Sequence, residues 1–250
     1  MVILNKEQIL GISVCTTTYE NLKQIVEKDI KLNKKSFIVA INPEKILKSR
    51  KDKDLANLLN GATYQIPDGI GIVYASKIKR GKIKSRITGI DSMEMLCELS
   101  NEKGYKIFLY GAKKEVVEKA RDELRKKYSN IKIVGTMDGY EKDNTKICDA
   151  INKSKADIIF VALGSPKQEL WIRDNMTKLC PKIYQGVGGS FDVFSGNIKR
   201  APNWMQKSGL EWFYRLIKEP KRIFRQVKLL NFLLLIIFSK NKKGSAKNES

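Results

Sequence analysis

Residues 157–175 read DIIFVALGSPKQELWIRDN, and this stretch decides the fold class. After Asp157 the first six residues are apolar without alternation, which predicts a strand that is buried on both faces. A Gly-Ser-Pro turn ends the run, and a segment with helical spacing follows it. A buried strand followed by a helix is the repeating unit of a parallel sheet with helices on both faces.

The same succession recurs along the first 195 residues. Four further apolar runs lead into polar or Gly-rich loops, at 37–41, 106–110, 131–134 and 182–184. We therefore predict an α/β fold for residues 1–195: a Rossmann-like, doubly wound, mostly parallel sheet. Residues 196–240 are predicted to form a helical, basic C-terminal appendage, and residues 241–250 a disordered polar tail.

The charge of the chain is strongly positive, and histidine is absent. Forty-eight Lys and Arg stand against 27 Asp and Glu, which gives a formal net charge of +21. This excess favours an anionic partner, namely nucleic acid, anionic lipid or a phosphate-bearing substrate. Residues 196–250 hold nearly half of the net charge. The lack of histidine excludes His-type zinc sites and Ser-His or Cys-His nucleophiles.

The sequence predicts neither a metal nor a cofactor. Four scattered cysteines form no CxxC pair, and we interpret them as reduced, apolar side chains of a cytosolic protein. Asp52 and Asp54 match a short metal-binding pattern, but their place at the start of a helical run favours a helix cap. No complete GxGxxG fingerprint or Walker A motif occurs, so a nicotinamide oxidoreductase is unsupported.

Candidate site residues follow the predicted strands, because ligands of parallel sheets bind beyond the carboxyl ends of the strands. Asp68, between Pro67 and Gly69, is either a general base facing the cleft or an ordinary turn residue. Arg86 and Gln168 are candidate polar contacts, and Gln168 falls in the first turn of a helix, where N–H groups attract phosphate. The remaining candidates are Asn42, Gly111, Tyr140, Gly164 and Asp192.

The stretch GLEWFYRLIKEPKRIFRQ, residues 209–226, is amphipathic. On a helical projection its cations share one face and most of its aromatic and aliphatic side chains share the other. This pattern is typical of a helix at a membrane interface, and it also suits a helix packed on its own domain. Binding to nucleic acid is disfavoured, because the aromatic side chains do not alternate with the cations. The apolar run at 229–238 is about half the length of a membrane-spanning helix.

Several of these stretches together resemble the WecG/TagA/CpsF family of bacterial glycosyltransferases, glycosyltransferase family 26. They follow one another in family order over about residues 10–230: NPE at 42–44, IPDGIGIV at 66–73, SRITGID at 85–91, FLYGAKKEVVEKA at 108–120, GTMDGY at 135–140, ALGSPKQELWI at 162–172, GVGGSFDVFSGNIKRAPNWM at 186–205, and the amphipathic stretch. The resemblance implies inverting, metal-independent transfer of N-acetylmannosamine from a UDP donor. The implied acceptor is N-acetylglucosamine on undecaprenyl diphosphate, in wall teichoic acid or related polysaccharide synthesis.

The resemblance also implies a place and a set of roles. Such an enzyme is cytoplasmic and lies peripherally on the inner face of the cell membrane. Away from the membrane, the apolar surface of the appendage could be buried in a homo-oligomer. Asp68 would be the general base, and Asn42 would hold a sugar. This sequence has Ala40 at a position where the family frequently has Thr. Transfer of a different sugar from a UDP donor is therefore an alternative. The implied substrate contacts are Arg86, Gln168, Gly111, Gly164, Tyr140, Asp192 and the appendage arginines Arg215, Arg222 and Arg225.

Overall fold

The computed structural model describes residues 4–202, 204–205, 211–218 and 223–239. The predicted disordered tail at 241–250 lies outside these residues. Within them, an antiparallel hairpin of β1 (Lys6–Ile9) and β2 (Ile12–Cys15) precedes the main sheet.

The main sheet has six strands, and every pairing between neighbouring strands is parallel. In chain order the strands are β3 (Ser36–Ile41), β4 (Tyr64–Pro67), β5 (Lys106–Gly111), β6 (Lys132–Met137), β7 (Ile158–Ala162) and β8 (Ile183–Gly186). Their order across the sheet is β4-β3-β8-β7-β5-β6. The predicted α/β fold with a parallel sheet is thus confirmed, and β7 is the strand of residues 157–175.

Helices connect the strands. They are α1 (Tyr19–Lys31), α2 (Pro43–Ser49), α3 (Lys53–Gly61), α4 (Ile70–Ile78), α5 (Gly89–Lys103), α6 (Lys114–Lys127), α7 (Asn144–Ser154), α8 (Lys167–Asn175), α9 (Ser190–Phe194), α10 (Glu211–Lys218) and α11 (Ile223–Phe238). The helix cap predicted at Asp52 is confirmed, since its side chain accepts a hydrogen bond from the Leu55 N–H at 2.9 Å. Such a cap contributes about 1 kcal/mol.

The core consists of two apolar layers, one on each face of the sheet. Along β3, the side chains of Ile38 and Ala40 join the layer formed with α1, α5, α6 and α9. Those of Phe37, Val39 and Ile41 join the layer formed with α3, α4, α7, α8 and α11. Both faces of the strand are therefore buried, which explains why its sequence is apolar throughout.

The C-terminal helix α11 packs on the domain by one face only. Phe232 is 0% exposed and belongs to the second core layer. Leu234 and Phe238, on the other face, are exposed, Phe238 by 78%. The apolar run at 229–238 therefore packs on the domain by one face and leaves apolar side chains exposed on the other. Among the described residues, no helix combines the length and the apolar character that crossing a membrane requires.

Candidate active site

Three chain segments meet beyond the carboxyl ends of β3 and β4. The Asp68 N–H donates a hydrogen bond to the Ile41 carbonyl at 2.8 Å, and the Ile87 N–H donates to the Pro67 carbonyl at 2.7 Å. Asn42, Asp68 and Arg86, which adjoin these bonds, are thereby brought to one place, and each is partly buried. The structure thus brings together three candidate site residues that are up to 44 positions apart in the sequence.

The backbone around Asp68 is shaped by close packing. Gly69 has φ +86°, a conformation that glycine adopts without strain, and α4 begins directly after it. A Cβ at Gly71 would lie 2.6 Å from a methyl carbon of Leu229 in α11 and 2.7 Å from the ring of Pro43. The C-terminal helix therefore packs against the segments that carry the candidate base and Asn42.

Gln168 lies at the base of the next loop, after β7, and is buried. Its side-chain Oε1 accepts a hydrogen bond from the Gly188 N–H at 3.0 Å. Its backbone N–H donates to the Gly164 carbonyl at 2.9 Å, so this donor is occupied within the turn. The contact of the Gln168 side chain with the loop after β8 is one that the sequence did not predict.

An open pocket of about 720 Å³ lies at the ends of β5, β6 and β7. Tyr140 and Asp192, two of the implied substrate contacts, both line it, together with Lys113 and Lys167. Tyr140 is 66% exposed, so its ring is available to a ligand. Burial raises the pKa of Tyr110, which also lines the pocket, to about 12.

Two candidate glycines flank this pocket for different structural reasons. Gly111 has φ +117°, and a Cβ there would lie 2.5 Å from the backbone oxygen of Ala162. Gly164 has φ +77° with open space around the position of a Cβ. Gly111 is therefore required by the approach of β5 to β7, whereas Gly164 is required only by its backbone conformation.

The appendage contributes a contact that the sequence did not predict. Arg200 forms ion pairs with Asp91, at the start of α5, and with Glu94 at 3.9 Å. The Tyr19 hydroxyl donates to the same Asp91 carboxylate at 3.1 Å and accepts from the Thr88 N–H at 3.0 Å. These bonds fix the segment that follows Arg86.

The appendage arginines can be placed only in part. Arg222 lies outside the described residues. Arg215 belongs to α10 and Arg225 to α11, but their side chains are outside the described part of the structure. Their predicted roles stay predictions.

Nucleophile and metal chemistry have little support among the described residues. Burial raises the pKa of all four cysteine thiols, Cys15, Cys97, Cys148 and Cys180, which disfavours a thiolate nucleophile. Within the described ranges, no group of three or more Asp, Glu or Cys side chains is arranged to hold a metal ion.

Comparison with known proteins shows the family to which the chain belongs. The sequence profile of the glycosyl transferase WecG/TagA/CpsF family matches residues 7–248. The N-acetylglucosaminyldiphosphoundecaprenol N-acetyl-beta-D-mannosaminyltransferase of Bacillus subtilis (strain 168) is 44% identical over 210 residues, which cover 83% of this chain and 82% of the relative. The protein of the same name from Bacillus spizizenii (strain ATCC 23059 / NRRL B-14472 / W23) is 37% identical over 215 residues, 86% of this chain and 83% of the relative. The chain is therefore a glycosyltransferase and belongs to the WecG/TagA/CpsF family.

Proposed function

We propose that this chain transfers N-acetylmannosamine from a UDP donor to N-acetylglucosamine on undecaprenyl diphosphate, with inversion at the anomeric carbon. The names of both relatives supply the sugar and the acceptor. The observation that carries the proposal is the meeting of Asn42, Asp68 and Arg86 at the sheet edge that also holds the open pocket. The pocket volume falls in the range of about 300–1,000 Å³ that is usual for small-molecule sites.

In the proposed reaction Asp68 is the general base. Its carboxylate takes the proton of an acceptor hydroxyl while that oxygen forms a bond to the anomeric carbon of the donor. The bond from this carbon to the UDP oxygen breaks at the same time, and UDP leaves. A single displacement of this kind inverts the anomeric centre and needs no enzyme nucleophile.

The open pocket is proposed to bind the nucleotide of the donor. Tyr140 and Asp192 would contact the uridine, and the positive-φ backbone at Gly111 and Gly164 would shape the loops around the diphosphate. The leaving diphosphate carries negative charge that must be offset. Lys113 and Lys167 supply cations in the pocket, as the predicted appendage arginines would, and this supports a transfer that does not depend on a metal.

The outward face of α11 is proposed to lie on the inner face of the cell membrane. The side chains of Leu234 and Phe238 line a groove of about 700 Å³ between α11 and α2. The same groove contains Lys48, Arg50, Lys51 and Lys228, with one acidic residue, Glu44. Apolar side chains among cations suit an anionic lipid surface. Away from lipid, the same apolar face could pair with a second copy of the chain.

A donor screen tests the proposed reaction. The full chain is incubated with a lipid-diphosphate N-acetylglucosamine analogue and UDP-N-acetylmannosamine, with and without EDTA, and UDP release is measured. We expect turnover that EDTA does not change and a product of inverted anomeric configuration. A retained configuration, or loss of turnover in EDTA, would contradict the mechanism.

A different UDP-sugar is the second candidate donor, and Ala40 is the observation that favours it. Ala40 is buried in β3 on the face of α5, and it presents a methyl group where the family often has a hydroxyl. Including UDP-N-acetylglucosamine and UDP-glucose in the screen decides between the donors. Faster turnover with either would assign that sugar and reject N-acetylmannosamine.

Membrane binding is tested against nucleic-acid binding, the non-enzymatic alternative. Flotation with anionic and with neutral vesicles is compared with binding to an oligonucleotide at the same ionic strength. We expect flotation with anionic vesicles only. Tight oligonucleotide binding without flotation would reject the membrane proposal.

A further inference from the structure

A buried ion pair connects two of the loops that form the candidate site. The Lys45 Nζ lies 2.7 Å from the Glu169 Oε1. Lys45 is 9% exposed and Glu169 is 0% exposed, so the pair is shielded from water. Lys45 belongs to the first turn of α2, after β3, and Glu169 belongs to the first turn of α8, after β7.

Each partner also contacts a candidate substrate residue. The Asn42 Oδ1 accepts a hydrogen bond from the backbone N–H of Lys45 at 2.9 Å. The Gln168 Nε2 donates to the Glu169 Oε1 at 3.1 Å, while the Gln168 Oε1 accepts from the Gly188 N–H at 3.0 Å. The carboxylate thus determines which end of the Gln168 amide faces which loop, because only the nitrogen of that amide can donate to it.

The amide has little room to move from this position. A Cβ at Gly186 would lie 2.6 Å from the Gln168 Nε2, which shows how closely the amide packs on β8. Together these contacts join the loops after β3, β7 and β8 through Lys45, Glu169 and Gln168. The three loops carry Asn42, Gln168 and the chain that leads to Asp192.

Stability alone is a poor explanation for this pair. Buried ion pairs are frequently no more stabilising than apolar side chains of the same volume. In addition, the Glu169 Oε2 is buried and accepts no hydrogen bond from the described residues. A carboxylate with one unsatisfied oxygen is unfavourable in a core, so the arrangement points to a requirement other than stability.

We propose that Lys45 and Glu169 are a positioning pair, in which the Glu169 carboxylate orients the Gln168 amide and Lys45 holds that carboxylate in register with Asn42. The consequence for catalysis rests on the proposed function, in which Asn42 and Gln168 contact the substrates. Neither member of the pair needs to touch a substrate. Its effect is to keep the two contacts at a fixed separation across the sheet edge.

Two double variants test the proposal, and both remove the two charges. Lys45→Met with Glu169→Met leaves no acceptor for the Gln168 amide, whereas Lys45→Met with Glu169→Gln retains a side-chain oxygen that can accept. We expect similar thermal midpoints for the two. The kcat of the Met/Met protein should be about 10- to 100-fold lower than that of the wild type, because loops displaced by a fraction of an ångström misalign the substrates. The donor KM should change little. The Met/Gln protein should recover at least a part of that loss.

A second readout does not depend on transfer activity. Side-chain amide exchange of Gln168 is followed by NMR with ¹⁵N-glutamine labelling, its signal being assigned by its loss in Gln168→Glu. We expect slow exchange in the wild type and the Met/Gln protein, and faster exchange in the Met/Met protein. Equal exchange in all three would overturn the positioning role even if the donor were misassigned. Equal kcat in the two double variants, at equal stability, would overturn its importance for turnover.

Discussion

The two halves of the sheet edge differ in how their side chains are held. At β3 and β4, the residues near Asp68 are fixed by backbone hydrogen bonds between segments and by the buried Lys45–Glu169 pair. At β5 and β6, Tyr140 and Lys113 lie exposed around an open pocket. The difference fits the proposed reaction, in which bonds are made at the fixed half and the donor enters and leaves through the open half.

The largest expected effect is that of Asp68→Asn, in the fixed half. The amide cannot take a proton, so kcat should fall by about 10²- to 10⁴-fold, the usual contribution of general base catalysis. The matched control is Asp122→Asn, an exposed carboxylate on α6 that pairs with Arg121 outside the pocket, and it should leave kcat unchanged. The measurement is steady-state UDP release. Turnover of Asp68→Asn within about threefold of the wild type would remove this residue from the base role.

Two glycines of the open half should differ in stability. Gly111→Ala combines a positive φ with a Cβ only 2.5 Å from the Ala162 backbone, whereas Gly164→Ala has only the positive φ. We expect the free energy of unfolding to fall by about 2–4 kcal/mol for Gly111→Ala and by about 1 kcal/mol for Gly164→Ala. Urea denaturation measures both. Equal losses would mean that the close approach of β5 and β7 is relieved at little cost.

Substitutions of the pocket residues should act on donor binding. Tyr140→Ala should raise the donor KM about tenfold with a smaller change in kcat, as expected for the loss of one aromatic contact to a base. Because the ring is already exposed, folding should be unaffected. The control is Tyr74→Ala, an exposed tyrosine outside the pocket. A decrease in kcat alone would assign Tyr140 to the chemical step, and it would contradict the proposal that the open half only binds the donor.

The smallest effect on the chemistry is expected at the outward face of α11. Leu234→Glu should lower partition onto anionic vesicles by about tenfold, the loss expected when one leucine is no longer buried. Turnover of a short-chain soluble acceptor should not change. Leu32→Glu, at an exposed leucine after α1, is the control. Equal flotation of both variants would place the membrane contact elsewhere.

Much of the fold was predictable because the strands of a parallel sheet are apolar on both faces. The run at 157–163 predicted β7, and the run at 37–41 predicted β3. The hairpin of β1 and β2 was not predicted, since the KEQI of β1 is mostly polar. Its four residues are too few to show a periodicity.

The candidate site was predictable by residue but not by arrangement. The rule that ligands bind at the carboxyl ends of parallel strands selected Asp68 and Tyr140, and the structure shows that they lie in different halves of that edge. Lys45 and Glu169 are 124 positions apart, and no local pattern predicts such a pair. In the sequence, each is one more charged residue at the start of a helix.

The division between the two halves is tested most directly by calorimetric titration of UDP into Asp68→Asn and Tyr140→Ala side by side. In the proposed arrangement UDP occupies only the donor site, so its affinity should report on the open half alone. The account predicts that Asp68→Asn binds UDP as the wild type does and that Tyr140→Ala binds about tenfold more weakly. Weaker binding by Asp68→Asn together with unchanged binding by Tyr140→Ala would contradict it.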